Sequence, residues 1–205
     1  MAVMYFVSVL LLISSVNMVE GKNSYVVDTN GEIVKSNTFY WMLGGSRGGV
    51  GLGDTRNQSS CKTSVVLEEN AKGMVVTMLP INEKKGRVEV SSSIVFEFYP
   101  VFSVTSRGKT ASSYVWQVGP YDALSKQYFV NACGVAGSPV VSNIGTRFTI
   151  ENSGDGYVLR YCSPFCRRCK PACSNVGIHG DNGTTRLALN ADPFTFNFQF
   201  APIMF

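Results

Sequence analysis

Apolar residues along this chain recur at a spacing of two, in short runs, and seldom at the three-and-four spacing of a helix. The pattern is clearest near the C-terminus. There Phe194, Phe196, Phe198 and Phe200 alternate with Thr195, Asn197 and Gln199, so one face of an extended segment is aromatic, the other polar, and the aromatic face is predicted to be core. Further strands are predicted at Ser24–Val27, Thr38–Leu43, Lys62–Glu68, Met74–Leu79, Arg87–Ser91, Ile94–Phe98, Tyr114–Val118, Tyr128–Ala132, Arg147–Glu151, Tyr157–Tyr161 and Arg186–Asn190. Most are rich in β-branched or aromatic residues and end at Gly, Asn, Asp, Pro or Ser. Gly44-Gly45 and Gly48-Gly49 read as loop hinges. About twelve strands with turns every ~8–12 residues, no linker and no amphipathic helix of three turns predict one all-β domain. Periodicity leaves a β-trefoil, a sandwich and a Greek-key barrel all open.

The first 21 residues break this pattern. An apolar run from Val3 to Ile13, polar Ser14-Ser15, and small residues Val19 and Gly21 at the −3 and −1 positions read as a signal peptide cleaved at Gly21/Lys22. The run is too short, and lacks the basic flank, for a membrane anchor. The expected product, residues 22–205, is exported to the extracellular space, the apoplast in a plant, without membrane attachment.

Export changes the reading of the cysteines. Four of the six lie in Tyr161-Cys162-Ser163-Pro164-Phe165-Cys166-Arg167-Arg168-Cys169-Lys170-Pro171-Ala172-Cys173. Such a cluster could bind zinc, and an isolated Cys-x-x-Cys could be a redox pair, but an oxidising compartment favours disulfides. The symmetric spacing suits nested bridges Cys162–Cys173 and Cys166–Cys169, which would brace a projecting loop carrying Arg167, Arg168 and Lys170. No metal or cofactor is expected.

Charge adds little, with a formal net value of +4. Cations cluster only in that loop and at Lys84-Lys85-Gly86-Arg87, which is no nucleic-acid stripe. Asn57-Gln58-Ser59 and Asn182-Gly183-Thr184 are glycosylation sequons, usable at Asn57 and Asn182 in an exported protein. The single histidine, His179, has no Ser and acid partners that the sequence singles out, and no phosphate-binding glycine fingerprint precedes a helix. An enzyme is not expected.

Val26-Val27-Asp28-Thr29-Asn30-Gly31-Glu32-Ile33-Val34, followed by Tyr40-Trp41-Met42, resembles the N-terminal signature of the plant Kunitz (soybean trypsin inhibitor) family. Physically, Asp28, Asn30 and Gly31 supply a tight turn. The resemblance continues through Gly48–Leu52, Asn57 ahead of Cys61, Ser113–Val118, Tyr157–Cys162 and Asp181–Leu189. It covers essentially all of residues 22–205 and is similar to the four-cysteine-loop subgroup with its miraculin-like relatives.

That resemblance implies a β-trefoil, a six-stranded barrel capped by three hairpins. It also implies a monomeric inhibitor of a serine peptidase, either a trypsin-like endopeptidase or a carboxypeptidase. The family's inhibitory loop lies between the fourth and fifth strands, which maps onto Leu79–Arg87 with Lys84 or Lys85 as the residue entering the specificity pocket. Family members usually bridge the cysteine equivalent to Cys61 to one in the stretch matching Val101–Ala111, where this chain has none. Cys133 is then the expected partner, on even count alone, the alternative being that both cysteines stay free. The cysteine loop is the other candidate contact, offering Arg168 and Lys170 with Pro171 behind them to resist cleavage. A non-inhibitory binding, storage or stress-response protein is the alternative.

Overall fold

Every strand pairing among the described residues is antiparallel, as short chain-adjacent β-segments joined by tight turns require. The structure is a computed structural model that describes residues 24–54, 61, 63–81, 86–99, 114–135, 145–162, 173–190 and 193–202. Twelve strands follow in order: β1 Tyr40–Leu43, β2 Gly49–Asp54, β3 Thr63–Glu68, β4 Val75–Pro80, β5 Ile94–Phe98, β6 Val115–Asp122, β7 Gln127–Gly134, β8 Phe148–Ser153, β9 Gly156–Cys162, β10 Cys173–Asp181, β11 Thr184–Asn190 and β12 Asn197–Phe200.

Six of these close a ring. β1 pairs β4 at Tyr40↔Val76, β4 pairs β5 at Val76↔Phe98, and β5 pairs β8 at Ile94↔Phe148. β8 then pairs β9 at Phe148↔Tyr161, Tyr157 of β9 bridges Phe196 just ahead of β12, and β12 returns to β1 at Phe200↔Tyr40. The other six strands form hairpins β2–β3, β6–β7 and β10–β11. The hairpins also pair with one another, at Ser64↔Asn131, Arg186↔Val66 and Ala188↔Phe129. Three four-strand units, a closed ring and a three-hairpin cap make this a β-trefoil.

The ring encloses the core. Phe96, Phe98, Phe148, Phe196, Phe198, Trp116, Met42 and Met78 are each at most 1% exposed. Trp116 lies 5.2 Å from the rings of both Phe96 and Phe98. Removing one such side chain from water contributes about 1.5–3 kcal/mol, so the aromatic filling supplies much of the drive for closure.

Four sequence readings need correction. Phe200 is not core: it is 45% exposed, because the period-two face runs past the barrel rim at the last residue of β12, where it meets only the edge of Tyr40. Ser24–Val27 and Arg87–Ser91 are not strands. They make only isolated bridges, Tyr25↔Glu89, Val27↔Ile33 and Lys35↔Arg87, while Val26, Val34 and Val88 are fully buried beneath them. Gly48-Gly49 is no mere hinge, since β2 begins at Gly49. Its alternating glycines are a packing requirement: a Cβ on Gly49, Gly51 or Gly53 would run into the Lys72 carbonyl, the Glu68 carboxylate or the Val66 side chain respectively. β10, with only Val176 and Ile178 as large apolar residues, was missed because its order comes from the seven-residue register with β11 and not from its own propensity.

At the centre of the cap, the guanidinium of Arg186 on β11 joins all three hairpins. Its Nε donates to Ser64 Oγ on β3 at 2.8 Å, and Nη2 donates to Asn131 Oδ1 on β7 at 3.5 Å. Nη1 pairs with Asp181 Oδ2 at 2.9 Å, and the Phe129 ring lies 3.5 Å beneath the guanidinium carbon. Arg186 is only 5% exposed. Removing one member of a buried, hydrogen-bonded ion pair leaves the other unmatched and costs about 3–5 kcal/mol. Arg186→Ala is expected to lose that much in urea unfolding, whereas Arg160→Ala, on an exposed β9 position, is expected to change stability by less than about 0.5 kcal/mol.

Candidate functional site

Two connections carry the residues singled out in the sequence, and the structure defines the base of each. Lys84 and Lys85 fall outside the described residues, as do Arg168, Lys170, Pro171, Cys166, Cys169, Asn57 and the leader segment 1–21.

The β4–β5 connection leaves the barrel at Pro80, and Ile81 donates its N–H to the Ser93 carbonyl at 3.0 Å. The chain is described again from Gly86, whose φ of +63° suits a residue without a Cβ. The Gly86 carbonyl accepts the Ser36 N–H at 3.0 Å, and Val88 is held on both sides, by Val34 O at 3.0 Å and by Val26 N at 2.9 Å. Asn37 N–H reaches back to Met78 O at 3.1 Å on the outgoing strand. Segment 82–85 is thus mounted on a base whose two ends are fixed by the same N-terminal layer. Sequence reasoning missed that layer. It treated Asp28–Gly31 as a turn, and the signal was the turn's consequence: reversal at Gly31 lays Val34 beside Val26 and carries Ser36 and Asn37 under the connection.

The β9–β10 connection is closed differently. A disulfide joins Cys162 to Cys173 with Cα atoms 4.1 Å apart, directly opposite each other in the register, followed by Tyr161↔Ser174 and Arg160↔Asn175. Tyr161 anchors the base from inside, 7% exposed and 6.1 Å from the Phe148 ring. Burial pushes its phenol pKa above the ordinary 10.0. The Tyr40 phenol is raised too, by burial first, with the Lys35 N–H opposing and the Asp28 charge adding to the rise.

These two bases are not neighbours. β1, β5 and β9 run in one sense around the ring and β4, β8 and β12 in the other, so the β4–β5 and β8–β9 connections share one end. The β9–β10 connection leaves from the opposite end, beside the hairpin cap. The second described bridge, Cys61–Cys133, belongs to neither loop; it ties the start of β3 to the end of β7, where Thr63 Oγ1 also donates to the Ala132 carbonyl at 2.7 Å.

Asn182 occupies the tip of the β10–β11 hairpin, exposed, with φ of 47° followed by Gly183 at 77°, the two positive values that a two-residue type I′ turn needs. His179 sits within β10, and its ring packs edge-on to Phe129 at 5.8 Å. Among the described residues no three His, Cys, Asp or Glu side chains are grouped as a metal site would need, and no helix is long and apolar enough to cross a membrane.

Residues 26–200 match the family model described as trypsin and protease inhibitor, the Kunitz type of legumes. The chain is 29% identical to Kunitz trypsin inhibitor 5 of Arabidopsis thaliana, over 86% of this chain and 85% of that protein. It is 33% identical to miraculin of Synsepalum dulcificum, over 95% and 93%. Among solved structures it superposes on a Kunitz-type cysteine protease inhibitor from potato with a TM-score of 0.71, at 26% identity over 87% of this chain and 97% of the other. The soybean trypsin inhibitor complex with porcine pancreatic trypsin matches with a TM-score of 0.68, at 20% identity over 87% and 99%.

Tyr161 yields a pH prediction. Below pH 10.0 both folded and unfolded chains hold the phenolic proton and the stability is complete; above it the unfolded chain ionises first, so stability falls as pH rises through the elevated folded value. Denaturant unfolding across about pH 8 to 11 is expected to show a shallower alkaline loss for Tyr161→Phe than for the parent. Parallel curves would remove Tyr161 from the linkage.

Proposed function

The chain belongs to the Kunitz trypsin and protease inhibitor family, a family of inhibitors and not of enzymes, and on that premise we propose that it is a secreted, monomeric inhibitor acting on a serine peptidase in the manner of a substrate. The observation that carries this reading is the base of the β4–β5 connection, fixed on both sides by backbone hydrogen bonds donated by Ser36, Asn37 and Val26 and accepted by Val34. Holding the two flanks of a loop in place lowers the conformational entropy it has to lose on docking. Lys84 or Lys85 then enters an acidic specificity pocket of the trypsin type, and the cut ends, if formed, stay close enough to rejoin. Support for the partner comes from the soybean inhibitor of the same fold, which is solved with trypsin.

A second reading keeps the inhibitor but moves the contact to Arg168, Lys170 and Pro171, favoured by the disulfide that closes their loop at Cys162 and Cys173. Because the two bases lie at opposite ends of the barrel, the readings predict different and separable losses. A non-inhibitory binding, storage or stress-response role is the remaining alternative, and similarity to a protein named miraculin is what favours it.

Titration of trypsin and of a serine carboxypeptidase with the parent protein is expected to show stoichiometric inhibition of one of them. Lys84→Ala with Lys85→Ala is expected to weaken it by roughly 30- to 1000-fold, the range of a lost hot-spot residue, while Lys170→Ala leaves it unchanged. The reverse pattern would place the contact in the cysteine loop. Full inhibition by both variants would remove these lysines from the mechanism, and no inhibition by the parent would favour the non-inhibitory role.

A further inference from the structure

The tip of the β10–β11 hairpin carries chemistry that the inhibitory reading does not use. Asn182-Gly183-Thr184 is an Asn-x-Thr acceptor pattern, and the fold presents all three residues exposed. A Cβ added to Gly183 or to Gly180 would meet nothing within 4 Å, so the space around the tip is open. The turn itself is set by positive φ at Asn182 and Gly183, and the ladder holds from Asp181↔Thr184 inward. A bulky group can be attached there without displacing a packed neighbour.

Beside the tip lies a cleft of about 360 Å³, between the 45–47 turn, the β3–β4 turn and the β10–β11 hairpin. Leu67 and Ile178 give it apolar surface, and Ser46, Arg47, Glu69 and Asn70 line it with groups that donate and accept hydrogen bonds. A pyranose ring has the same division, apolar C–H faces within a girdle of hydroxyls. Thr185 also lines the cleft, and it stands opposite Gly180 in the ladder. Ile178 and Gly180 share one face of β10, and the glycine leaves that face bare between Ile178 and the tip. The way from Asn182 into the cleft is thus clear of side chains from β10.

We propose that Asn182 carries an N-linked glycan whose first sugar settles into this cleft. The donor is a lipid diphosphate-linked oligosaccharide. Asn182 Nδ2 forms a bond to the anomeric carbon, the bond from that carbon to the diphosphate oxygen breaks with its electron pair leaving on the diphosphate, and the amide gives up one proton to solvent. The reaction rests on the export reading above, since an exported chain is what meets that donor. The attachment point is remote from both candidate contacts. Strand β10, Cys173–Asp181, separates it from the disulfide-closed base by about 26 Å at ~3.3 Å per residue, and the β4–β5 base lies at the other end of the barrel.

The test uses the chain with its own leader, produced in plant cells, in an Asn57→Gln background so that Asn182 heads the one remaining Asn-x-Ser/Thr pattern. The exported protein is expected to be heavier than its polypeptide, to lose the added mass to peptide N-glycosidase, and to convert Asn182 to Asp in that digestion. Thr184→Ala is expected to abolish the added mass and Thr184→Ser to keep it. Both exchanges spare the positive-φ position that Asn182→Gln would strain. Exported protein of bare polypeptide mass would overturn the site. A chain retained inside the cell would overturn the export reading instead, and the same chain behind an established export signal then decides the site by the same mass criterion. Seating of the sugar is read by hydrogen exchange: amides of 45–47 and 69–70 are expected to exchange at least about twofold more slowly in the glycosylated protein than in Thr184→Ala. Equal exchange in the two would overturn the seating.

Discussion

The guanidinium of Arg186 ties all three hairpins of this trefoil's cap to one another. Each hairpin, alone, is a two-stranded ribbon of marginal stability, and the backbone ladders between the three show one register pair at each junction. Arg186 adds what backbone pairing does not, a hydrogen bond to Ser64 of one hairpin and to Asn131 of another, beside its own ion pair with Asp181. Burying a charge is unfavourable unless its donors are matched. The arrangement is therefore selective as well as stabilising: a hairpin displaced by one residue would turn its polar partner to the wrong face and strand the charge.

The ring carries the consequence outward. Because its six strands alternate in sense, connections between them sort to two ends, and the base of the β4–β5 connection is separated from the disulfide-closed base of the β9–β10 connection by the length of the barrel. The first end also holds the N-terminal layer, which brings together residues far apart in sequence: Val26, Ser36, Gly86 and Val88. The cap end carries the hairpin tips, including Asn182.

Much of this was legible in the residues, for physical reasons. Strands that bury nearly continuous runs of apolar and β-branched residues, such as Ile94–Phe98 and Val75–Met78, announce themselves because packing demands the same residues that propensity favours. β2 and β10 do not. Their identity lies in neighbours, through the close approach that Gly49, Gly51 and Gly53 permit and through the long ladder with β11. Arg186 was read as one more strand residue, since nothing local distinguishes a cation bound for a three-hairpin junction from one facing solvent. The candidate site divides the same way. Basic residues between strands are visible in the sequence, whereas the opposite placement of the two loops follows from ring closure, which no local pattern encodes.

Ring closure has a further meaning for a member of a protease-inhibitor family. Such enzymes grip their substrates as extended strands, adding main-chain hydrogen bonds along an unpaired edge, and a sheet closed on itself offers no edge to grip. Each barrel strand here already has neighbours on both sides. Digestion of the folded barrel would require a strand to be torn out first, so the backbone left for an enzyme to engage is confined to the connections.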